Sequence, residues 1–293
     1  MRWNDKPYHT LDYELKRKYG EKIYKIALDA NMTCPNRDGS CGVRGCIFCS
    51  SGGSGDFAAK GTSIARQLEQ GKQYFRDKKV GERFIAYFQS YTNTYAPVPT
   101  LEALYREALE NSTVVGISIA TRPDCLGSDI LALLDCLNRE YTDKFIWIEL
   151  GLQTIHEHTA TLIRRGYPLS VFEDAVKQLQ KISIPVITHV IIGLPGETKP
   201  MMLETCRFLA RINVTGIKLQ LLHILKNTDL VEFYTKKTFD ILDMMAYIDI
   251  IISCLEVLPP DMVIHRLTGD GPRDLLIAPL WSLDKRRVLN TLH

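Results

Sequence analysis

The 293-residue sequence has no run approaching the ~20 consecutive apolar residues that a membrane helix requires. Its first ten residues, MRWNDKPYHT, lack the apolar stretch of a secretory leader. A cytoplasmic chain with no membrane partner is therefore expected. There is no excess of one charge, since 36 Lys and Arg stand against 34 Asp and Glu, a net +2. That balance neither demands nor excludes a nucleic-acid partner, because binding needs only a local basic patch. No repeat at solenoid periods and no low-complexity linker occurs. Hydrophobic residues make up 45% and charged residues 24%, a globular composition that excludes a disordered chain.

Cysteine is present, and unevenly. Four of the eight, Cys34, Cys41, Cys46 and Cys49, fall within sixteen residues. Cys125, Cys136, Cys206 and Cys254 are scattered among apolar neighbours and read as buried, inert thiols. In a large chain without a leader, metal or redox chemistry explains the clustered four better than disulfides do. Cys46 and Cys49 form a CxxC pair, able to aim two sulfurs at one centre. Four nearby cysteines fit a structural zinc or an iron–sulfur cluster. Structural zinc usually takes two matched short spacings, and only one is present here.

Short β-branched runs alternate with amphipathic stretches. Strands are expected at Tyr24–Asn31, Arg83–Gln89, Val114–Ala120, Phe145–Gly151, Pro185–Ile192 and Thr215–His223. Helices are expected at Ser63–Lys79, Thr100–Glu110, Ser128–Glu140, Ser170–Ile182 and Lys199–Ile212, with Thr100, Ser128 and Ser170 as starting residues. Beyond His223 the pattern gives a long helix at Phe239–Leu258 stopped by Pro259 and Pro260, a short strand at Met262–Leu267 and a C-terminal basic helix. Strands separated by helices read as βα units with parallel pairing, in a doubly wound sheet or a barrel. The loop from Cys34 to Gly61 is long for a compact domain, which points to function. In a barrel it would stand at the C-terminal end of the first strand, where active sites lie.

The run LDANMTCPNRDGSCGVRGCIFC, Leu28 to Cys49, resembles the motif of radical S-adenosylmethionine (SAM) enzymes, and among them a bacterial family related to the catalytic subunit of Elongator. Similarity to that family continues through Thr-Arg-Pro-Asp (Thr121–Asp124), Glu-Leu-Gly-Leu-Gln (Glu149–Gln153), Gly-Leu-Pro-Gly-Glu (Gly193–Glu197) and His265–Gly271. The resemblance implies an α/β fold, a partial (βα)6 TIM barrel over residues 23–225, with an extension at 1–22 and a capping extension at 226–293. It implies a [4Fe–4S] cluster held by Cys34, Cys46 and Cys49, with Cys41 outside the pattern and its role open. With three thiolates, one iron stays free to chelate the amino and carboxylate groups of SAM, and an electron then cleaves SAM to a 5′-deoxyadenosyl radical. An electron donor such as flavodoxin or ferredoxin is implied.

The same resemblance assigns candidate SAM contacts. Phe48 would pack near the adenine. Gln89 or Ser90 stands where many members have Gly-Gly-Glu, so this contact departs from the pattern. Thr121 and Arg122 would face the cavity, with Asp124 pairing Arg122. Glu149 lies in an apolar strand, and a buried carboxylate needs a partner, either SAM or an internal Arg. Gln153 and Arg165 would meet the ribose or carboxylate, and Gly193 and Leu194 would run along the adenine. His189 is either a satisfied core histidine or a cavity residue. Arg122, Lys218, Gln220, His223 and Arg266 are the substrate candidates, Lys218 and Gln220 sharing one strand face.

For substrate, the family resemblance points to tRNA, and to conversion of carboxymethylaminomethyl-uridine to aminomethyl-uridine at the wobble position. The residue support is modest. Lys16-Arg17-Lys18, Arg266, Arg273 and Lys285-Arg286-Arg287 could contact backbone, and Trp3, Tyr8, Tyr91 and Tyr95 could stack on a base. Solvated faces and ordinary packing are the plainer readings. The alternatives are a radical SAM enzyme acting on a small molecule or protein, and a zinc-stabilised RNA-binding module.

Overall fold

The computed structural model describes residues 3, 5–53, 55, 58, 63–75, 81–269 and 271–293. The chain runs through α1 (Leu11–Tyr19), β1 (Tyr24–Leu28), α2 (Ile64–Gln73), β2 (Phe84–Phe88), α3 (Val98–Leu109), β3 (Val114–Thr121), α4 (Ser128–Glu140) and β4 (Phe145–Gln153). It continues through α5 (Glu157–Leu162), α6 (Leu169–Lys181), β5 (Val186–Ile192), α7 (Lys199–Arg211), β6 (Gly216–Leu221), β7 (Ile224–Leu225), α8 (Leu230–Thr235), α9 (Met244–Val257), β8 (Val263–Arg266), β9 (Leu276–Ala278) and α10 (Lys285–Leu292).

Seven strands form one parallel sheet in the order β1-β2-β3-β4-β5-β6-β8, and β7 pairs antiparallel with β9. All six expected strands form. The short stretch at 262–267 does more than cap: β8 hydrogen-bonds to β6 as a seventh parallel strand. The sheet curls into a half-barrel, because side chains from β1 and β6 meet on one carboxylate of β4. β3 is buried at every position, its residues alternating between the barrel interior and the layer of α3 and α4. Burial on both faces is why these strands read as near-continuous apolar runs. At the N-terminal end of the strands, Leu15 of α1 packs on Ile23, Ile85, Val115 and Phe145.

Several boundaries move for identifiable reasons. β1 stops at Leu28, where the Gln67 side chain accepts from Asp29 N and donates to Asp29 O, both at 2.8 Å. α3 starts at Val98 with Pro99 in its first turn, where a missing N–H costs nothing, and Thr100 is not its cap. α6 starts after Pro168, and its first N–H goes to Glu157 rather than Ser170. Gly127, not Ser128, is the N-cap of α4. α2 begins under Ser63, whose hydroxyl accepts from Arg66 N, while the expected end of that helix at Lys79 lies outside the described residues. The helix expected at Phe239–Leu258 shortens to α9, capped by Asp243, and the short α8 precedes it as an unexpected helix. Cys206 and Cys254 are buried as expected, but Cys125 is half-buried and Cys136 exposed, off the buried stripe Ile130–Leu133–Leu134–Leu137. Among the described residues, no helix is long and apolar enough to cross a membrane.

Candidate active site

The cysteine loop has no regular structure from residue 34 to 49, so side chains and backbone turns hold its shape. Asn36 is the hub. Its Nδ2 donates to Arg164 O at 2.8 Å and Arg165 O at 3.2 Å and lies 3.6 Å from Cys46 Sγ. Arg37 donates to the carbonyls of Cys49 and Ser50. Ile47 anchors the loop from below, packed with Ile163, Ile191, Leu194, Leu222, Ile224 and Leu230. Cys34, Cys46 and Cys49 then share the wall of a cavity of about 980 Å³. A hydrogen bond with Cys49, outweighing burial and aided by Arg122, Asn36 and Arg164, lowers the Cys46 thiol to about 7. Cys41 is exposed and lines a separate depression with Gly42, Val43 and Arg44.

The floor of the cavity is polar and takes one residue from each of six strands. Glu149 on β4 is fully buried. Its Oε1 accepts from Lys25 Nζ of β1 at 2.6 Å and Ser118 Oγ of β3 at 2.7 Å. Its Oε2 accepts from His189 Nε2 of β5 at 2.7 Å and from Lys218 Nζ of β6. Lys218 also donates to Tyr87 OH of β2 at 3.0 Å. Burial acts to raise the Glu149 carboxyl, but Lys218, Lys25 and His189 prevail and hold it well below the carboxylate range. Burial, opposed by Glu149, brings the Lys218 ammonium down to about 7. Burial and Lys218 together bring His189 down to about 4, so it is neutral at pH 7.

Most expected site residues converge on this cavity. Phe48, Gln89, Thr121, Arg122, Glu149, Gln153, Arg165, His189, Lys218, Gln220, His223 and Arg266 all line it with the three cysteines. Ser90, Gly193 and Leu194 do not. Ser90 is buried behind the wall, its Oγ without a partner among the described residues. Gly193 turns with φ +89°, and Leu194 packs into the apolar cluster beneath the cysteine loop. Two expected contacts change character. Glu149 already holds four donors, none from Arg, so neither SAM nor an arginine is needed to satisfy it. Arg165 donates to the carbonyls of Tyr167, Leu152 and Thr154 and to Glu157, which commits its guanidinium to the β4–α5 turn. Arg122 pairs with Asp124 at 2.6 Å as expected and donates to Arg165 O.

Sequence reasoning missed Lys25, Tyr87, Ser118 and Asn36. The signal was available for the first three: each shares a strand face with a residue on the cavity wall, Lys25 with Ala27, Tyr87 with Gln89 and Ser118 with Ala120. Among the basic runs, Lys16 and Arg17 pair with Asp12 and Glu14 on α1, at the opposite end of the strands from the cysteines. Arg273, Arg286 and Arg287 are exposed. Of the aromatics, Trp3 stacks on His9 and Tyr8 on His293, Tyr95 OH bonds Ser40 Oγ, and Tyr91 alone lines the cavity. Asp270 of the expected C-terminal loop lies outside the described residues, as does Gly61.

The donor set tests the iron–sulfur expectation against zinc. Among the described residues, no group of three or more His, Cys, Asp or Glu side chains is gathered tightly enough for a single metal ion. With Cys41 on another face, the four-sulfur zinc site is not formed. Three thiols on one cavity wall, with an amide N–H directed at one of them, fit a thiolate-bound cluster open to the cavity.

Comparison with known proteins agrees with the geometry. Residues 39–209 match the Radical SAM superfamily and residues 214–293 the Radical_SAM C-terminal domain. The chain is 44% identical over 290 residues to the uncharacterized protein YtqA of Bacillus subtilis, covering 99% of this chain and 89% of that one. It is 35% identical over 270 residues to protein YhcC of Escherichia coli, covering 92% and 85%. Similarity to Elongator complex protein 3 of Danio rerio is 24% over 182 residues, 60% of this chain and 31% of that one. Among solved structures, Elp3 of the archaeon Methanocaldococcus infernus superposes with a TM-score of 0.69 at 14% identity, over 92% of this chain and 62% of that one.

Proposed function

The chain belongs to the radical SAM superfamily, and from that premise we propose that it converts carboxymethylaminomethyl-uridine to aminomethyl-uridine at the wobble position of tRNA. A [4Fe–4S] cluster and SAM are the cofactors of the superfamily. Bound and given one electron, they supply a carbon radical able to abstract hydrogen from an unactivated C–H bond.

The chain's own residues divide the remaining work. Cys34, Cys46 and Cys49 would hold the cluster, with Asn36 donating toward Cys46. Phe48, Gln89, Thr121 and Gln153 would bind SAM from the cavity wall. Lys218, Gln220, His223 and Arg266, on the β6–β8 side, would face substrate. The Glu149 network and the apolar cluster under α1 close the deep end against water, which protects a reactive radical. A flavodoxin or ferredoxin would deliver the electron at the cysteine loop.

The observation that carries this reading is the shared cavity. The three cysteines and the β6–β8 residues line one space of about 980 Å³, at the top of the roughly 300–1,000 Å³ range of ligand pockets. That leaves room for a nucleoside beside SAM. The test is nucleoside analysis of tRNA from a deletion strain. Carboxymethylaminomethyl-uridine should accumulate and aminomethyl-uridine derivatives should disappear. Unchanged wobble uridines overturn the tRNA assignment and return the choice to a small-molecule or protein substrate.

A further inference from the structure

We infer that the β6–β8 side of the cavity floor is an anion subsite that takes a carboxylate of the substrate. Three cations border this region, Lys25, Lys218 and Arg266, and Glu149 is the one carboxylate among the described residues that line it. Both Glu149 oxygens are already filled by four donors, two of them the lysines. Arg266 stands beside Lys218 in the β6–β8 register and has no hydrogen bond or ion pair among the described residues. His189 and His265 add no negative charge, and His265 Nδ1 is buried without a partner. Lys218 is buried and Lys25 and Arg266 are half-buried, and an excess of positive charge so far withdrawn from water is costly unless something compensates it. Lys218, only 4% exposed, supplies a second cation beside Arg266.

Depth separates this subsite from the cysteines. Lys25 lies three residues before the end of β1 and Lys218 three before the end of β6, about 10 Å below the strand ends at 3.3 Å per residue. The cysteine loop stands above those ends. An anion on the floor therefore belongs to the far end of a second molecule. The identity of that anion rests on the proposed function: it is the carboxymethyl carboxylate of the modified uridine. The aminomethyl product has lost this carboxylate while keeping the amine that both molecules carry, so it gives these cations nothing to hold, and the subsite also favours product release.

The test compares anticodon stem-loop RNAs bearing carboxymethylaminomethyl-uridine or its uncharged carboxamide, bound to the cluster-loaded protein with SAM. The wild type should bind the acid about tenfold more tightly or better, as expected for a hydrogen-bonded charge pair. Arg266→Gln should bring the ratio near one, Arg266→Lys should keep most of it, and SAM affinity should be unchanged in both. Equal binding of the two RNAs by the wild type overturns the subsite. So does a ratio that survives both Arg266→Gln and Lys218→Gln. A parallel loss of SAM affinity in Arg266→Gln also overturns it, assigning the anion to the cofactor's own carboxylate. If neither RNA binds, the tRNA reading alone fails. N-acetylglycine against N-acetylglycinamide, followed by Trp147 fluorescence, then decides the subsite. Acid-selective binding that depends on Arg266 sustains it, and absence of selectivity overturns it.

Discussion

Lys218 of β6 donates to the carboxylate of Glu149 on β4, and the two residues are 4% and 1% exposed. They are two strands apart in the sheet, so the contact spans the interior of the half-barrel rather than a strand pair. Neither charge can be removed alone without leaving its counterpart uncompensated in a dry interior.

Glu149→Gln should therefore destabilise the fold by about 3–5 kcal/mol, the cost of breaking a buried pair from one side. Urea denaturation of the apoprotein measures it. Adding Lys218→Met should recover part of the loss, because the double change leaves only Lys25 without its carboxylate, where the single change leaves both lysines. An additive double variant would show that the two residues act independently.

Stability should fall in acid with a recognisable source. The folded His189 titrates at about 4 against an ordinary 6.5, so the unfolded chain takes up a proton that the folded chain refuses. Stability from neutral His189 is complete above pH 6.5 and is lost as pH falls through 4. The lowered Glu149 adds loss of the same sign at lower pH. One proton difference corresponds to a slope of about 1.4 kcal/mol per pH unit. Burial also holds His265 well below its ordinary value, so unfolding free energies from urea titrations between pH 4 and 6.5 should fall at least this steeply, and His189→Gln should remove one proton's share of the slope.

Cys34→Ala, Cys46→Ala and Cys49→Ala should each abolish the brown colour and broad visible absorbance of the anaerobically reconstituted protein, while Cys41→Ser retains both. Iron and sulfide analysis supplies the count. A colourless wild type that holds zinc on all four cysteines would refute the cluster assignment.

Asn36→Ala should leave the carbonyls of Arg164 and Arg165 without this donor and withdraw the N–H near Cys46. A loss of about 1–3 kcal/mol is expected for unsatisfied buried groups, together with a shifted cluster reduction potential. Potentiometric titration separates the second effect from the first. A destabilised protein with an unshifted potential would confine Asn36 to a structural role.

The strands and the cysteine loop were legible because their signals are local: β-branched runs, and four cysteines in one short stretch. The cavity wall followed from family resemblance applied at strand ends. The floor was not legible as a network. Glu149 could be recognised as needing a partner, but Lys25 and Lys218 lie 124 and 69 residues away, and only the curl of the sheet joins them. Arg165 misled for the converse reason. An arginine near an active site suggests an anion, while the three carbonyls and Glu157 that absorb it become visible only once the β4–α5 turn has formed. The helix starts beside proline misled through local geometry, since Pro99 sits in the first turn of α3 and Pro168 caps α6, with Glu157 taking its first N–H, without help from Thr100 or Ser170.

The floor network also bears on how the cavity can change size. Residues from β1, β2, β3, β4, β5 and β6 are joined, directly or through Lys218, to a single carboxylate. Widening the bore would pull several charge-assisted bonds apart together, whereas the bonds of the cysteine loop lie above the strand ends and do not fix the spacing of the strands below. Accommodation of a bulky ligand should therefore occur at the rim, with the diameter at the bottom held constant. A guest that is too wide is turned away at the bottom by a gauge made of one glutamate.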